Sequence, residues 1–171
     1  MRKTLCTVAA LAAIACAPVH ASIDSYFAAL LGANQTAGGD IDGFGSALVT
    51  IDNVANTVSW SILALNIDLP LAAAHIHQGT AGNNGPVKVD FSAALSGSNL
   101  FDADLALITP GSAAGFYVNI HNAAFPNGAL RGQLQFVATV SQPIPEPETY
   151  ALMLAGLGVV GFMARRRARQ G

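Results

Sequence analysis

Apolar residues in the middle of this chain recur with a period of two, which restricts its folded part to strands. Phe44, Ser46, Leu48 and Thr50 alternate with Gly45, Ala47, Val49 and Ile51. Successive side chains on a strand point to opposite faces, so the pattern gives one face to a core and the other to solvent. Asp52-Asn53 supplies turn chemistry. Val58, Trp60, Ile62 and Ala64 then alternate with Thr57, Ser59, Ser61 and Leu63, so the two segments predict a hairpin. The same signature returns over 87–91, 116–121 and 130–138, with shorter candidates at 26–31 and 72–77. Short strands separated by Gly, Asn and Pro turns predict an all-β, antiparallel sandwich. The stretch 102–108 fits either a helical turn or a further strand.

The two ends follow different rules. Arg2 and Lys3 precede an apolar run from Leu5 to Ala15, and Val19-His20-Ala21 ends in a small residue. That order predicts a signal peptide over 1–21, cut after Ala21. The run is too short for an anchor, which needs about 20 apolar residues. Cys6 and Cys16 both lie in this leader, so the mature chain has no disulfide, thiolate metal site or cysteine nucleophile. At the other end, over 141–171, Pro143, Pro145 and Pro147 predict an extended linker. An apolar run from Tyr150 to Ala164 follows, closed by Arg165, Arg166, Arg167 and Arg169. This predicts a single transmembrane helix over 149–164 with its arginines, 165–169, on the cytoplasmic side.

Between the ends lies one domain, 22–140. It holds eight aspartates against Lys88 and Arg131, a net charge of −6. Nucleic acid, which demands a basic footprint, is excluded as a partner. Asp40-Ile41-Asp42-Gly43 reads as a turn, because it lacks the remaining oxygen ligands of a calcium loop. Three histidines remain after the leader: His75, His77 and His121. His75 and His77 share a strand face, and His121 ends another predicted strand. If those strands are neighbours, three neutral imidazoles converge on a site suited to zinc or copper. The alternative is that the rings hydrogen-bond to loop backbone. Arg131 is the body's one arginine. It either clamps the carboxylate of an acidic sugar or anchors loop carbonyls or an aspartate. No nucleophile elbow or P-loop occurs, and Glu146 and Glu148, the two glutamates, lie in the tail.

The tail from Pro145-Glu146-Pro147 through Leu157, with Arg165, Arg166 and Arg167 beyond, resembles the PEP-CTERM sorting signal of Gram-negative bacteria. The resemblance implies processing by an exosortase and export toward the cell surface or an exopolysaccharide matrix. In the body, Ala74-His75-Ile76-His77-Gln78-Gly79, Gly82-Asn83-Asn84-Gly85-Pro86-Val87, Asn119-Ile120-His121-Asn122 and Pro126-Asn127-Gly128-Ala129-Leu130-Arg131-Gly132-Gln133-Leu134 resemble the CHRD domain over 26–138. That likeness implies an immunoglobulin-like β-sandwich or barrel, distantly similar to copper/zinc superoxide dismutase around the His-x-His strand, with no general catalytic activity. Where the family often has a proline pair after its first strand, this chain has residues 35–39. Dismutase activity is rejected on inventory: that site needs more histidines and a disulfide.

The expectation is a non-enzymatic protein, exported through the inner membrane to the cell surface or extracellular matrix, that acts by binding. Its expected partners are the Sec translocon, exosortase, the inner membrane transiently through the tail, and exopolysaccharide or surface proteins. The alternative is a zinc- or copper-binding domain using His75, His77 and His121. A hydrolase or metallo-oxidoreductase ranks third.

Overall fold

A computed structural model describes residues 20–143 and 147–169. Nearly all of the leader, residues 1–19, together with Pro145 and Glu146 of the sorting motif, lies outside the described residues. The chain divides into two compact units, one of them running His20–Gln142.

That unit is one antiparallel sheet of nine strands, curled into a half-barrel. The strands are β1 (His20–Leu31), β2 (Phe44–Asp52), β3 (Thr57–Leu65), β4 (Ala73–Gln78), β5 (Val87–Asp90), β6 (Ser96–Phe101), β7 (Phe116–His121), β8 (Leu130–Gln133) and β9 (Gln135–Pro143). Their order across the sheet is β5-β4-β7-β8-β1-β2-β3-β6, with β9 also paired to β1. The expected antiparallel β architecture is present, but not as two separate layers. A continuous ladder crosses the sheet, and one buried cluster fills its concave side. That cluster takes Tyr26, Ala28 and Leu30 from β1, Val49 and Ile51 from β2, Ile76 from β4, and Val118 and Ile120 from β7. Each buried leucine, isoleucine or valine of this cluster contributes up to about 1.5–3 kcal/mol.

The predicted hairpin is β2–β3, in register from Phe44↔Leu65 to Asp52↔Thr57. Its turn is held by the Asp52 carboxylate, which accepts from the Val54 and Ala55 N–H groups at 2.9 Å. Two strand expectations need correction. The single strand expected over 130–138 is two: β8 runs beside β7 and ends where the Leu134 N–H donates to Phe116 O, and β9 pairs with β1. β6 had no periodic signal, since it is an edge strand of mostly polar residues. In it Ser98 and Asn99 oppose the single residue Ser59, and Asn99 takes a φ of 55°, making a bulge. Gly97 is required there, because a Cβ would enter the Trp60 ring. The ambiguous stretch contains a 3₁₀ turn, Ala103–Leu107, capped by the Asp102 side chain and contributing buried Leu105 to the core.

The other unit contains helix α1 (Pro147–Ala168). Apolar residues run all round it, so it is not amphipathic. The expected transmembrane helix over 149–164 is therefore present as a helix. Among the described residues, however, no helix is long and apolar enough to cross a membrane. The physical reason is length: Arg165 closes the apolar run after about 15 residues, where hydrocarbon requires about 20.

Candidate metal centre

The site lies on the outward face of β4, β7 and β8. β4 turns Ala74 and Ile76 into the core, so His75 and His77 face out together. β4 pairs with β7, placing His75 opposite Asn119 and His77 opposite Tyr117. β7 pairs with β8, placing Asn119 opposite Arg131 and Tyr117 opposite Gln133. The two strands that the sequence left unpaired are thus neighbours, and their register brings three imidazoles together. Ring centroids lie 5.4 Å apart for His75–His77, 5.2 Å for His75–His121 and 6.4 Å for His77–His121. One nitrogen from each ring falls within 4.8 Å of the other two.

The hydrogen bonds around the rings select which nitrogens these are. His77 Nδ1 lies 2.9 Å from Gly85 O, and His121 Nδ1 lies 2.9 Å from Pro126 O. A carbonyl only accepts, so both Nδ1 atoms carry the proton and both Nε2 atoms hold a lone pair. His75 Nε2 faces the Asp90 carboxylate at 3.6 Å, an electrostatic contact too long for a hydrogen bond. That contact favours the proton on Nε2 and so the lone pair on Nδ1. His75 Nδ1 and His77 Nε2 are buried and have no hydrogen-bond partner among the described residues. His121 Nε2 is engaged by the Asn119 side-chain amide at 3.2 Å, and Asn119 in turn accepts from Gln35 at 2.5 Å.

Burial is the main force holding His75 below the usual imidazole range; His121 adds to it and Asp90 opposes it. His77 is also pushed down, first by burial and further by His121 and Arg131, against the bond to Gly85. Both shifts favour the neutral ring, the form that ligates a metal. Tetrahedral bonds of about 2.0–2.1 Å put nitrogen ligands about 3.4 Å apart. The three nitrogens, within 4.8 Å of one another, would have to draw closer to reach that spacing.

Arg131, the candidate carboxylate clamp, is 1% exposed, and its donors go to protein oxygens. Nη1 donates to Asn84 Oδ1 at 2.9 Å, and Nη2 donates to Thr80 O at 3.0 Å and Asn83 O at 2.8 Å. Its guanidinium lies 3.5 Å over the Tyr117 ring, and that ring stacks on His77 at 4.9 Å. Trp60 stacks on Phe91 at 4.2 Å and donates to Ala94 O, away from the histidines. Sequence reasoning missed Asn119, Gln35 and Asp90. Asn119 alternates with His121 on the same strand face, which was a usable signal, whereas Gln35 and Asp90 reach the site only through folding.

No curated protein and no solved structure matches the chain. A family model described as the PEP-CTERM protein-sorting motif matches residues 143–167. That motif indicates export with envelope or surface targeting, and it implies processing by an exosortase. A second model, described as the CHRD domain, matches residues 26–134 and so covers the whole histidine-bearing face from β4 to β8. With well over half its length inside that match, the chain belongs to the CHRD domain family.

Proposed function

We propose that this exported domain acts by binding rather than turnover, and that its outward β4–β7–β8 face holds zinc or copper on His75 Nδ1, His77 Nε2 and His121 Nε2. The observation that carries this reading is the pair of buried, partnerless imidazole nitrogens beside a third. A buried polar atom without a partner costs about 1–3 kcal/mol, and a bound cation would remove that cost at two atoms together. Nitrogen donors without thiolate favour zinc or copper over calcium or magnesium. Elemental analysis of the exported, processed protein after incubation with zinc or copper tests the reading. One equivalent of metal is expected, with loss in His77→Ala; substoichiometric metal in both removes it.

A second reading concerns where the domain works. The signal peptide and sorting tail would direct it through the Sec translocon and across the inner membrane, with the tail engaging the bilayer transiently, to the surface or an exopolysaccharide matrix. A groove of about 660 Å³ beside the histidine face supports binding of matrix glycans. Its wall carries Asn34, Gln35, Thr36 and Gln135, side chains that both donate to and accept from sugar hydroxyls. Cutting after Ala21 would keep every β1–β2 pair, since that register begins at Ile23↔Asp52. The mass of the exported form checks both trimming points. Glycan binding that is indifferent to Gln35→Ala and Gln135→Ala would remove the groove from the account.

A further inference from the structure

Arg131 is a buried cation that donates to no ligand in the metal reading, and its position gives it a different task. It carries the loop between β4 and β5. The Asn84 side chain and the carbonyls of Thr80 and Asn83 all converge on its two terminal nitrogens. Gln133, two residues along β8, donates to Gly79 O at 3.0 Å. The next loop residue, Gly85, is fixed on both sides of its peptide. Its N–H donates to Tyr117 Oη at 3.3 Å, and its carbonyl faces His77 Nδ1. A side chain at Gly85 would strike Gln78 O, so the loop closes at backbone contact. His77 is also held face to face with Tyr117, at an interplanar angle of 8°, and the Arg131 guanidinium lies over the same phenol.

We infer that Arg131 and Tyr117 are positioning residues for the metal centre: together they seat Gly85 O so that His77 is locked as the Nδ1–H tautomer, with its Nε2 lone pair aimed into the site. The inference rests on the metal reading for its consequence, but its first step, the tautomer, is a property of the metal-free protein. Three features require arginine here. Its planar fork reaches several loop oxygens together, its flat face stacks on the phenol, and it stays charged when buried. Lysine is a point charge that offers neither the fork nor the stack. Groups that orient a ligating histidine in this way typically control about 10- to 100-fold of metal affinity.

The test compares the processed wild-type protein with Arg131→Lys, Arg131→Met, Tyr117→Phe and a charge-removing control, Lys88→Met. Nitrogen-15 NMR of the metal-free proteins reports the His77 tautomer, and competition titration with zinc reports affinity. Wild type and Lys88→Met are expected to show one Nδ1–H tautomer at His77. Both Arg131 variants are expected to mix tautomers and bind zinc about 10- to 100-fold more weakly. Tyr117→Phe, which keeps the stack but loses the contact to Gly85 N–H, falls between. The copper(II) electron paramagnetic spectrum shifts in the same order. A cooperatively folded Arg131 variant with the wild-type tautomer and wild-type affinity overturns the inference. If Arg131→Met fails to fold, Arg131→Lys and Tyr117→Phe decide. If wild type binds no zinc, the metal reading falls, and the tautomer comparison still judges the positioning role.

Discussion

The two halves of the sheet follow the same rule on their inner face and opposite rules on their outer one. β1, β2 and β3 turn Phe27, Leu31, Phe44, Leu48, Leu63 and Leu65 outward, all between 40 and 56% exposed. β4, β7 and β8 turn outward His75, His77, Tyr117, Asn119, Arg131 and Gln133, yet Tyr117, Asn119 and Arg131 are buried. A polar side chain is thus covered where a greasy one is bare. The difference lies in the loop after β4, which folds back over the polar half and is tied to it by Arg131 and Gln133. Alternation along a strand shows which residues face the core, but it does not show whether a loop covers the other side. Where a loop does, the polar residues must satisfy one another, and the atoms left over mark the site.

Substitutions separate the two halves. The largest effect is expected in the shared core: Ile120→Ala should cost about 2–5 kcal/mol in urea unfolding, because Ile120 is fully buried. Next comes the covered outer face. Gln133→Leu strands the part-buried carbonyl of Gly79 and should cost about 1–3 kcal/mol. Equal tolerance of Gln133→Leu and Leu63→Ser would break the comparison, since it would mean that the loop covers nothing of consequence.

Acid sharpens the same contrast. His75 and His77 have folded values held below the ordinary 6.5, so the unfolded chain takes up their protons first. Stability from these rings is fully present above about pH 6.5 and is lost as pH falls through the lowered folded values. Urea midpoints of the metal-free protein should therefore drop below pH 6.5, and the drop should shrink in the double variant His75→Asn, His77→Asn. An unchanged slope in that variant would assign the acid sensitivity elsewhere. The smallest effect belongs to the bare face: Leu48→Ser and Leu63→Ser should each shift stability by no more than about 0.5 kcal/mol.

Most strands were legible from local pattern because only one face of each packs into the apolar core. Phe44–Asp52, Thr57–Leu65 and Phe116–His121 are found within a residue of their expected bounds. β6 was not legible, because an edge strand that buries little has no need of alternation. The split at Leu134 was not legible either, because a change of partner strand from β7 to β1 leaves the alternation of residue types untouched. At the site, the partnership of His75 and His77 follows from a spacing of two. The convergence with His121 hung on whether two distant segments are adjacent.

What the linear order settled was the inventory: three histidines and one arginine in an acidic body free of cysteine, with a sorting tail beyond it. Those facts are additive along the chain and need no fold. Folding chose the neighbours. It paired β4 with β7 and brought Gly85 O to His77 and Pro126 O to His121, leaving two lone pairs buried without donors. Such assignments depend on register and on loop closure, which sum weak interactions over the whole sheet and leave no local trace in any one segment.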